Sequence, residues 1–291
     1  MITEQANPNT ANIDQLPTLA ALERINAEDA RVAGAVREAL PAIAAAVDGI
    51  AARLRDGGRL IYVGAGTSGR LGLLDAVECV PTFGVDPSLV QALIAGGSAA
   101  VIHSVEGAED EADTGRADLL ALHLRAEDAV AGIAASGRTP YVLGALAAAR
   151  EIGALTIGIA CNVPSPLLEA AQIGIGVTVG PEVIAGSTRL KAGTAQKMIL
   201  NMISTATMIQ LGKVYGNLMV DVQVTNQKLA GRARGLIAEI GGVDDDTAAR
   251  LLAASGNEVK TAIVMARRGV EAAHARDLLA AADGRLRAVI G

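Results

Sequence analysis

A glycine-rich loop between a short apolar run and a helical pattern constrains this chain more than any other feature. Residues 60–63 are apolar and residues 71–78 carry apolar side chains at helical spacing, so the pattern predicts a strand, a glycine loop and a helix. Glycines let the backbone approach a ligand closely, and the first N–H groups of a helix have no intrahelical acceptor. Thr67 and Ser68 add hydroxyl donors, and Arg70 adds a positive charge. We therefore expect a phosphorylated small molecule on this loop.

The rest of the chain alternates short apolar runs with helical patterns. Such alternation predicts an α/β fold in three layers, with a parallel five-stranded sheet flanked by helices on both faces. The predicted strands are residues 60–63, 89–95, 128–134, 155–160 and 173–179. The predicted helices are residues 18–30, 28–55 with a kink or division at Pro41, 99–124, 141–152, 191–212 and 228–240, followed by three short helices at 246–255, 258–267 and 270–281.

These patterns predict three parts. Residues 1–57 form an N-terminal arm and helices, residues 58–240 form the α/β domain, and residues 241–291 form a small three-helix subdomain. The arm, residues 1–17, is polar and contains two prolines, so we expect it to be extended and either floppy or laid across a partner subunit. Residues 217–226 have a mixed pattern.

Composition excludes several classes of protein. Lys and Arg number 25 against 31 Asp and Glu, with no basic block, so we expect no nucleic-acid partner. No apolar run reaches the ~18 residues of a membrane span, and no basic segment followed by an apolar one opens the chain, so we expect a cytoplasmic protein with no membrane partner. The two cysteines and three histidines lack the spacing of metal ligands, so no metal site is predicted.

Two common phosphate-binding motifs fit the glycine loop poorly. Residues 64–69 match G-x-G-x-x-G, but a dinucleotide site needs an acidic residue after the second strand, and Asp86 precedes that strand. A Walker loop fails because no Lys-Ser/Thr follows Gly69. Two further loops repeat the hydroxyl and glycine pattern, at residues 136–139 and 186–191. Parallel strand ends converge, so together the loops predict a cradle for one phosphate and its sugar; each alone is equally typical of an ordinary glycine turn.

Carboxylates form the second set of candidates. Glu78 follows the glycine loop by three helical turns, and apolar neighbours in sequence predict a buried setting that would raise its pKa and let it act as an acid. Residues 106–111 form an acidic patch that includes Glu109, for which the alternative is a solvated helix start.

Five stretches of the sequence resemble one known family. They are GRLIYVGAGTSGRLGLLDAVEC, VEGAEDEAD, GIAASGRTPYV, GSTRLKAGTAQKMILNM and GKVYGNLMVDV. The chain resembles the N-acetylmuramic acid 6-phosphate etherases, bacterial enzymes of the sugar isomerase (SIS) fold that are related to the glucokinase regulatory protein. GAGTSGR alone would indicate only the fold, whereas the EGAED and KAGTAQK motifs indicate the etherase branch.

The resemblance implies cleavage of the lactyl ether of N-acetylmuramic acid 6-phosphate, in the recovery of cell-wall sugar, without a cofactor. It implies that Glu78 and Glu109 are catalytic. We take Glu78 as the acid for the leaving group and Glu109 as the base at C2, and the reverse stays open. It also implies a homodimer with a shared site, which Lys191 or Lys197 of the partner would reach. The substrate-binding residues are expected to be Gly66, Thr67, Ser68, Ser136, Gly137, Arg138, Thr139, Ser187 and Lys191.

Two other functions would keep the same phosphate loops. A sugar-phosphate isomerase would not need this pair of acidic motifs. A sugar-phosphate-binding regulator without catalytic activity would dispense with either glutamate, and a fused DNA-binding segment, which would favour a regulator, is not visible in the sequence. Release of D-lactate from the muramic acid sugar separates the etherase from both.

Overall fold

The computed structural model describes residues 1–222, 224 and 227–291. The strands are β1 Leu60–Gly64, β2 Val90–Ile94, β3 Ala129–Ile133, β4 Leu155–Ala160, β5 Ile173–Gly176, β6 Val214–Tyr215 and β7 Leu218–Met219. The helices are α1 Thr18–Asp29, α2 Val32–Glu38, α3 Leu40–Arg55, α4 Gly66–Phe83, α5 Ala99–Ile102, α6 Ala112–Ala121, α7 Pro140–Ile152, α8 Pro166–Ala170, α9 Lys191–Gln210, α10 Gln227–Gly241, α11 Asp245–Ala254, α12 Val259–Arg268, α13 Ala272–Ala281 and α14 Leu286–Ile290. None of the described helices is long and apolar enough to cross a membrane.

The described residues form two compact units. The first contains Met1–Val77 and Ser88–Ser204, and the second contains Glu78–Pro87 and Thr205–Gly291. The division of the chain at residues 57 and 240 stays a prediction.

The first unit is built on a parallel sheet of five strands in the order β2-β1-β3-β4-β5. The prediction of this sheet, flanked by helices, is confirmed. Strands β1 and β3 are buried along their whole length, which explains why they occur as continuous apolar runs rather than alternating patterns. On one face, Ile61, Val63 and Val130 pack against α7 and its neighbours.

Two glycines let α4 begin directly on the end of β1. A Cβ on Gly64 would lie 2.7 Å from the backbone nitrogen of Gly69, and a Cβ on Gly69 would lie 2.9 Å from the carbonyl oxygen of Gly64 and 2.6 Å from Ile94. Any larger residue at either position would push the helix away from the strand. The glycine loop is therefore as close a turn as the backbone allows.

Two predicted helices are divided in the structure. Residues 28–55 break between α2 and α3, where Pro41 lies in the first turn of α3 and lacks the N–H that a continuous helix would need. The predicted helix over 99–124 is wrong in its middle: α5 ends at Ile102, and only a 3₁₀ turn, Ala108–Asp110, precedes α6. Gly107 has φ 75°, a left-handed conformation that a helix cannot contain.

The N-terminal arm is not extended. It consists of three 3₁₀ turns, Ile2–Glu4, Pro8–Thr10 and Ile13–Gln15, that pack on the first unit of the same chain. The side chain of Thr3 is fully buried, and its carbonyl oxygen accepts a hydrogen bond from the N–H of Gly186. Asn162, after β4, accepts from the N–H of Ile2 at 2.8 Å. Specific backbone contacts thus fix a segment that the polar sequence predicts to be mobile or bound to a partner.

The second unit has its own core. Buried residues of α10–α14 pack together, among them Ile237, Ile263 and Leu286. The three predicted C-terminal helices are present as α11–α13, and a fourth, α14, follows them. In the segment predicted as mixed, β6 and β7 form a small antiparallel hairpin, while Gln223, Thr225 and Asn226 lie outside the described residues.

A buried ion pair joins α1 to the start of α9. Lys191 is 1% exposed and its ammonium group contacts the carboxylate of Glu28, which is 3% exposed. Asn7 and Asn9 of the arm donate to the same carboxylate at 2.9 and 2.8 Å. Burial disfavours the charge of Glu28, but the hydrogen bonds and the positive charge outweigh it and lower its pKa from 4.5 to about 2. The pair therefore stabilises the charged carboxylate in the folded state.

Acid should remove the stabilisation that Glu28 provides. Because its pKa is lowered on folding, the contribution is complete above pH 4.5 and is lost as the pH falls toward 2. We expect Glu28→Gln to lower the free energy of unfolding at pH 7 by about 3 kcal/mol, and the difference from wild type to be about 2 kcal/mol smaller at pH 3. Urea unfolding at both pH values measures this. The control Glu23→Gln, at an exposed position of α1, should show a small difference at both; a Glu28→Gln difference that does not change with pH would contradict the assignment.

Candidate active site

Two cavities adjoin at the carboxyl ends of β1 and β3. The larger, about 460 Å³, is lined by the loop after β1 and the loop after β3. The smaller, about 250 Å³, is lined by the start of α4 and by the segment between β2 and α6. Ala65, Gly66 and Glu109 line both cavities. The site is therefore one crevice with two compartments, at the sheet edge where ligands bind in open α/β folds.

Six of the predicted substrate-binding residues line the larger cavity. These are Gly66, Thr67, Ser68, Ser136, Arg138 and Thr139. Gly137, which lies between Ser136 and Arg138 in sequence, is buried. A Cβ on Gly137 would lie 2.3 Å from the hydroxyl oxygen of Ser165. The structure thus brings the two Ser-Gly-Arg loops to one place, although they are almost 70 residues apart in sequence.

The hydroxyl of Ser68 is hydrogen-bonded to a buried side chain of α9. It donates to Oε1 of Gln196 in α9 at 2.9 Å, and Ser68 is 8% exposed. The side-chain amide of Gln196 is 1% exposed, and its Nε2 has no hydrogen-bond partner in the described part of the chain. Ser68 therefore offers a ligand its backbone N–H and the lone pairs of its hydroxyl, whereas the hydroxyl proton is already used.

Positive potential in the larger cavity comes from helix starts as well as side chains. α4 and α7 both begin at the cavity, with Gly66 in the first turn of α4 and Thr139 as the N-cap of α7, and each has the positive end of its dipole there. The first N–H groups of α4 have no intrahelical acceptor, whereas α7 begins with Pro140, which has no N–H, and the N–H of Val142 donates to the carbonyl oxygen of Thr139. The exposed side chain of Arg138 adds a full charge, and the backbone N–H of Arg138 donates to the hydroxyl of Ser136 at 3.2 Å. Such an arrangement suits a phosphate.

The third predicted loop contributes differently from expectation. In the described part of the chain, this loop, residues 186–191, lines the larger cavity through Thr188 and not through the predicted Ser187. Of the two lysines expected to reach the substrate of the partner subunit, Lys191 is buried in the ion pair with Glu28, whereas Lys197 is exposed. The contact from the partner stays a prediction. Glu182 accepts from the backbone N–H groups of Lys191 and Ala192, both at 2.9 Å, so the start of α9 is capped within the chain.

Glu109 lies between the two compartments. It is exposed and belongs to the 3₁₀ turn that follows Gly107. Asp110, the next residue, lines only the larger cavity, and Glu106 lines only the smaller. Of the acidic patch, Glu109 is thus the residue that borders both spaces.

Glu78 does not have the apolar surroundings predicted for it. It belongs to the second unit and is exposed, one position after Val77, which is 57% exposed. The buried carboxylate of α4 is instead Asp75, in the first unit, which accepts hydrogen bonds from Tyr62 at 2.9 Å and Asn201 at 2.8 Å. Burial raises the pKa of Asp75, although these hydrogen bonds oppose the shift. Asp75 and Glu78 are three residues apart and so only about 60° apart around α4, yet one is buried and the other exposed. Sequence neighbours alone do not reveal which is which.

Arg70 faces the smaller cavity and not the larger one. Its Nε donates to the carbonyl oxygen of Val101 and its Nη2 to that of His103, both at 3.1 Å. The expectation that Arg70 adds charge beside Thr67 and Ser68 is therefore wrong. Successive residues of an α-helix are about 100° apart, so Ser68 and Arg70 point to nearly opposite sides of α4.

Sequence reasoning missed several residues of the site. Glu4 from the N-terminal arm lines the larger cavity, and Gln196 supports it through Ser68. Glu4 lies in a polar segment with no motif, so no local signal could identify it. Gln196 lies within KAGTAQK, one of the stretches that resemble the etherases, and this was an available signal.

Comparisons with known proteins agree on fold and family. The whole chain is 56% identical to the N-acetylmuramic acid 6-phosphate etherase of Streptomyces coelicolor and covers 93% of that protein. It is 54% identical to the protein of the same name from Salmonella choleraesuis and covers 98% of it. Residues 42–150 match the family described as glucokinase regulatory protein N-terminal SIS domain.

Two solved structures are similar in fold alone. A putative phosphosugar isomerase involved in capsule formation, from Bacteroides fragilis, is 19% identical with a TM-score of 0.52, over 69% of this chain and 95% of its own. A protein of E. coli CFT073, solved as a complex, is 15% identical with a TM-score of 0.50, over 69% of this chain and 97% of its own.

The buried hydrogen bond behind Ser68 should contribute to stability before any ligand binds. Ser68→Ala leaves Oε1 of Gln196 without a donor in a buried site, so we expect a loss of about 1–3 kcal/mol in the free energy of unfolding, measured with urea. The matched control is Ser136→Ala in the other Ser-Gly-Arg loop, where the hydroxyl is half-buried and we expect a loss below about 1 kcal/mol. Equal losses in the two variants would show that the Gln196 contact does not matter.

Proposed function

This chain belongs to the N-acetylmuramic acid 6-phosphate etherases, and from that membership we propose how its site carries out the reaction. The substrate is N-acetylmuramic acid 6-phosphate. The D-lactyl ether at C3 is cleaved, and the products are N-acetylglucosamine 6-phosphate and D-lactate. In the cell this reaction recovers cell-wall sugar.

One observation supports the assignment of the site above the others. Glu109 borders both compartments, and one of them joins two helix starts, several hydroxyl groups and Arg138. A phosphate held in the larger compartment would leave the reacting carbons of the opened sugar beside the carboxylate of Glu109. Phosphate binding and proton removal are thus available within one crevice.

The chemistry is an elimination followed by addition of water. Ring opening exposes the aldehyde at C1, which acidifies the proton at C2. A carboxylate, assigned to Glu109, removes that proton, and the bond from C3 to the lactyl oxygen breaks as the departing oxygen takes a proton from a carboxylic acid, assigned to Glu78. Water then adds across the C2–C3 double bond, with its hydroxyl at C3 and a proton at C2.

The phosphate contacts are assigned to the larger compartment. We propose that the first N–H groups of α4, at Gly66, Thr67 and Ser68, together with the hydroxyls of Ser136 and Thr139, hold the phosphate. The exposed side chain of Arg138 adds a charged contact. Gly137 shapes this loop from its buried position, and Thr188 replaces Ser187 in the assignment.

We also propose a homodimer whose subunits share the site. Leu74 and Val77 are 51% and 57% exposed, one turn and one residue before Glu78 in α4. Exposed aliphatic residues at helical spacing are typical of a surface that packs on a partner. A second copy of α4 on this surface would bury Glu78 and give it the apolar setting that a carboxylic acid at neutral pH requires.

A cytoplasmic location accords with a substrate whose phosphate keeps it from crossing membranes.

The wild-type chain should release D-lactate from N-acetylmuramic acid 6-phosphate. In H₂¹⁸O the heavy oxygen should enter the sugar at C3 and not the lactate, and in D₂O the sugar should carry deuterium at C2, because the addition step takes both groups from solvent. Mass spectrometry of the two products measures this. Fructose 6-phosphate serves as the control substrate; its isomerisation without lactate release would refute the etherase.

Removal of either proposed catalytic carboxylate should remove most turnover. We expect Glu78→Gln and Glu109→Gln each to lower kcat by about 10²- to 10⁴-fold, the usual contribution of a general acid or base. The matched control is Glu111→Gln, an exposed glutamate in the same acidic patch, for which near wild-type kcat is expected.

The same two variants test the shared site. If each site uses Glu78 of one subunit and Glu109 of the other, a heterodimer of the two variants, co-expressed and purified with two different tags, has one intact site and one doubly altered site. It should then recover about half of the wild-type kcat per dimer. A heterodimer as inactive as its parents would show that both glutamates of a site come from one subunit. Failure of the two tagged chains to purify together, with a monomer mass by light scattering, would show that no dimer forms.

A further inference from the structure

The smaller compartment contains a cation that the reaction described above leaves without a role. Arg70 lies in the first turns of α4, and its guanidinium is fixed by the carbonyl oxygens of Val101 and His103. Carbonyl oxygens orient a guanidinium without neutralising its charge. In the described part of the chain Arg70 makes no ion pair with a carboxylate. A guanidinium has five N–H donors, and two are used here, so three remain for a ligand.

We propose that Arg70 binds the carboxylate of the lactyl group and so selects the muramic acid sugar over sugar phosphates without that group. This inference rests on the proposed function. The planar, fixed fork of Arg70 matches a carboxylate, for which arginine is well suited. Ala95, Ala100 and Val105 line the same cavity and provide apolar surface for the lactyl methyl group.

The lactyl group is a branch on C3, next to the carbon that loses its proton, and this position fits the smaller compartment. In the opened sugar the phosphate is at C6, the acidic proton is at C2, and the lactyl ether is at C3. With the phosphate in the larger compartment and C2 beside Glu109, the lactyl group extends away from the phosphate, into the smaller compartment. The two anionic groups of the substrate then each meet one arginine, Arg138 at the phosphate and Arg70 at the lactyl carboxylate.

Carboxylates in the same cavity sharpen the selection. Glu106 and Glu109 also line the smaller compartment, so an anion is repelled unless it sits on the guanidinium. The cavity therefore favours one orientation of the lactyl group, with its carboxylate toward α4 and its ether oxygen toward the crevice. This orientation leaves the ether oxygen accessible to the acid that protonates it.

The test compares two substrates that differ in one group. One is N-acetylmuramic acid 6-phosphate, and the other is its lactamide, in which a neutral amide replaces the carboxylate. We expect wild type to prefer the carboxylate substrate in kcat/KM by roughly ten- to hundredfold, and Arg70→Met to lose this preference, since a charged hydrogen bond is lost. Arg70→Lys should retain part of it. Arg138→Met is the matched control: it should lower kcat/KM for both substrates and leave their ratio unchanged.

The ratio makes the result independent of folding. Any loss of folded protein lowers both rates equally, so only a specific contact changes their ratio. An Arg70→Met variant with the wild-type ratio would overturn the proposal, whether its activity is high or low. The proposal would also fail if Arg70→Met changed kcat/KM only for substrates altered in the N-acetyl group, because the cavity would then hold that group. If wild type released no lactate, the proposed function would fail, and the affinities of wild type and Arg70→Met for the two sugars, measured by calorimetry, would still test the contact.

Discussion

The contact between Gly64 and Gly69 is the constraint on which the rest of the site depends. The backbone of α4 touches the end of β1 so closely that a single Cβ on either residue would separate them. This closeness places the first turn of α4 directly over the end of the sheet, where its free N–H groups face the crevice. It also sets the rotation of α4, and with it the opposite directions of Ser68 and Arg70. One backbone contact thus determines both compartments.

Buried polar contacts fix the surrounding segments in a chain with few large side chains. The sequence has one Phe and no Trp, so bulky residues cannot fill gaps between elements, and close backbone packing leaves polar groups buried. These groups are paired over long distances in sequence: Glu28 with Lys191, Glu182 with the start of α9, and Asp75 with Asn201. An unpaired member of any such set would be strongly destabilising. The polar contacts therefore specify one arrangement of α4, α9 and the arm around the crevice.

The sequence predicts the parts of this fold that depend on local pattern. Continuous apolar runs identify all five strands of the sheet, and Pro41 identifies the break before α3. The two Ser-Gly-Arg loops meet as predicted because parallel strands must end on one edge. Features that depend on the rotation of a helix or on partners distant in sequence are not predicted. Glu78 faces outward and Asp75 inward, and Arg70 lines the other compartment. Lys191 pairs with a residue 163 positions away. No short window of sequence contains that information.

The charge of the site explains how a chain with net charge −6 can hold a sugar with two anionic groups. Glu4, Glu109 and Asp110 line the larger cavity together with Arg138, so side chains alone do not make it positive. Attraction must come from the oriented N–H groups at the start of α4 and from the dipoles of α4 and α7, whose effect is confined to the first turn of each helix. An anion is stabilised there only when its oxygens reach those donors. Selectivity therefore follows from geometry rather than from net charge, and the carboxylates that the chemistry requires can remain beside the phosphate.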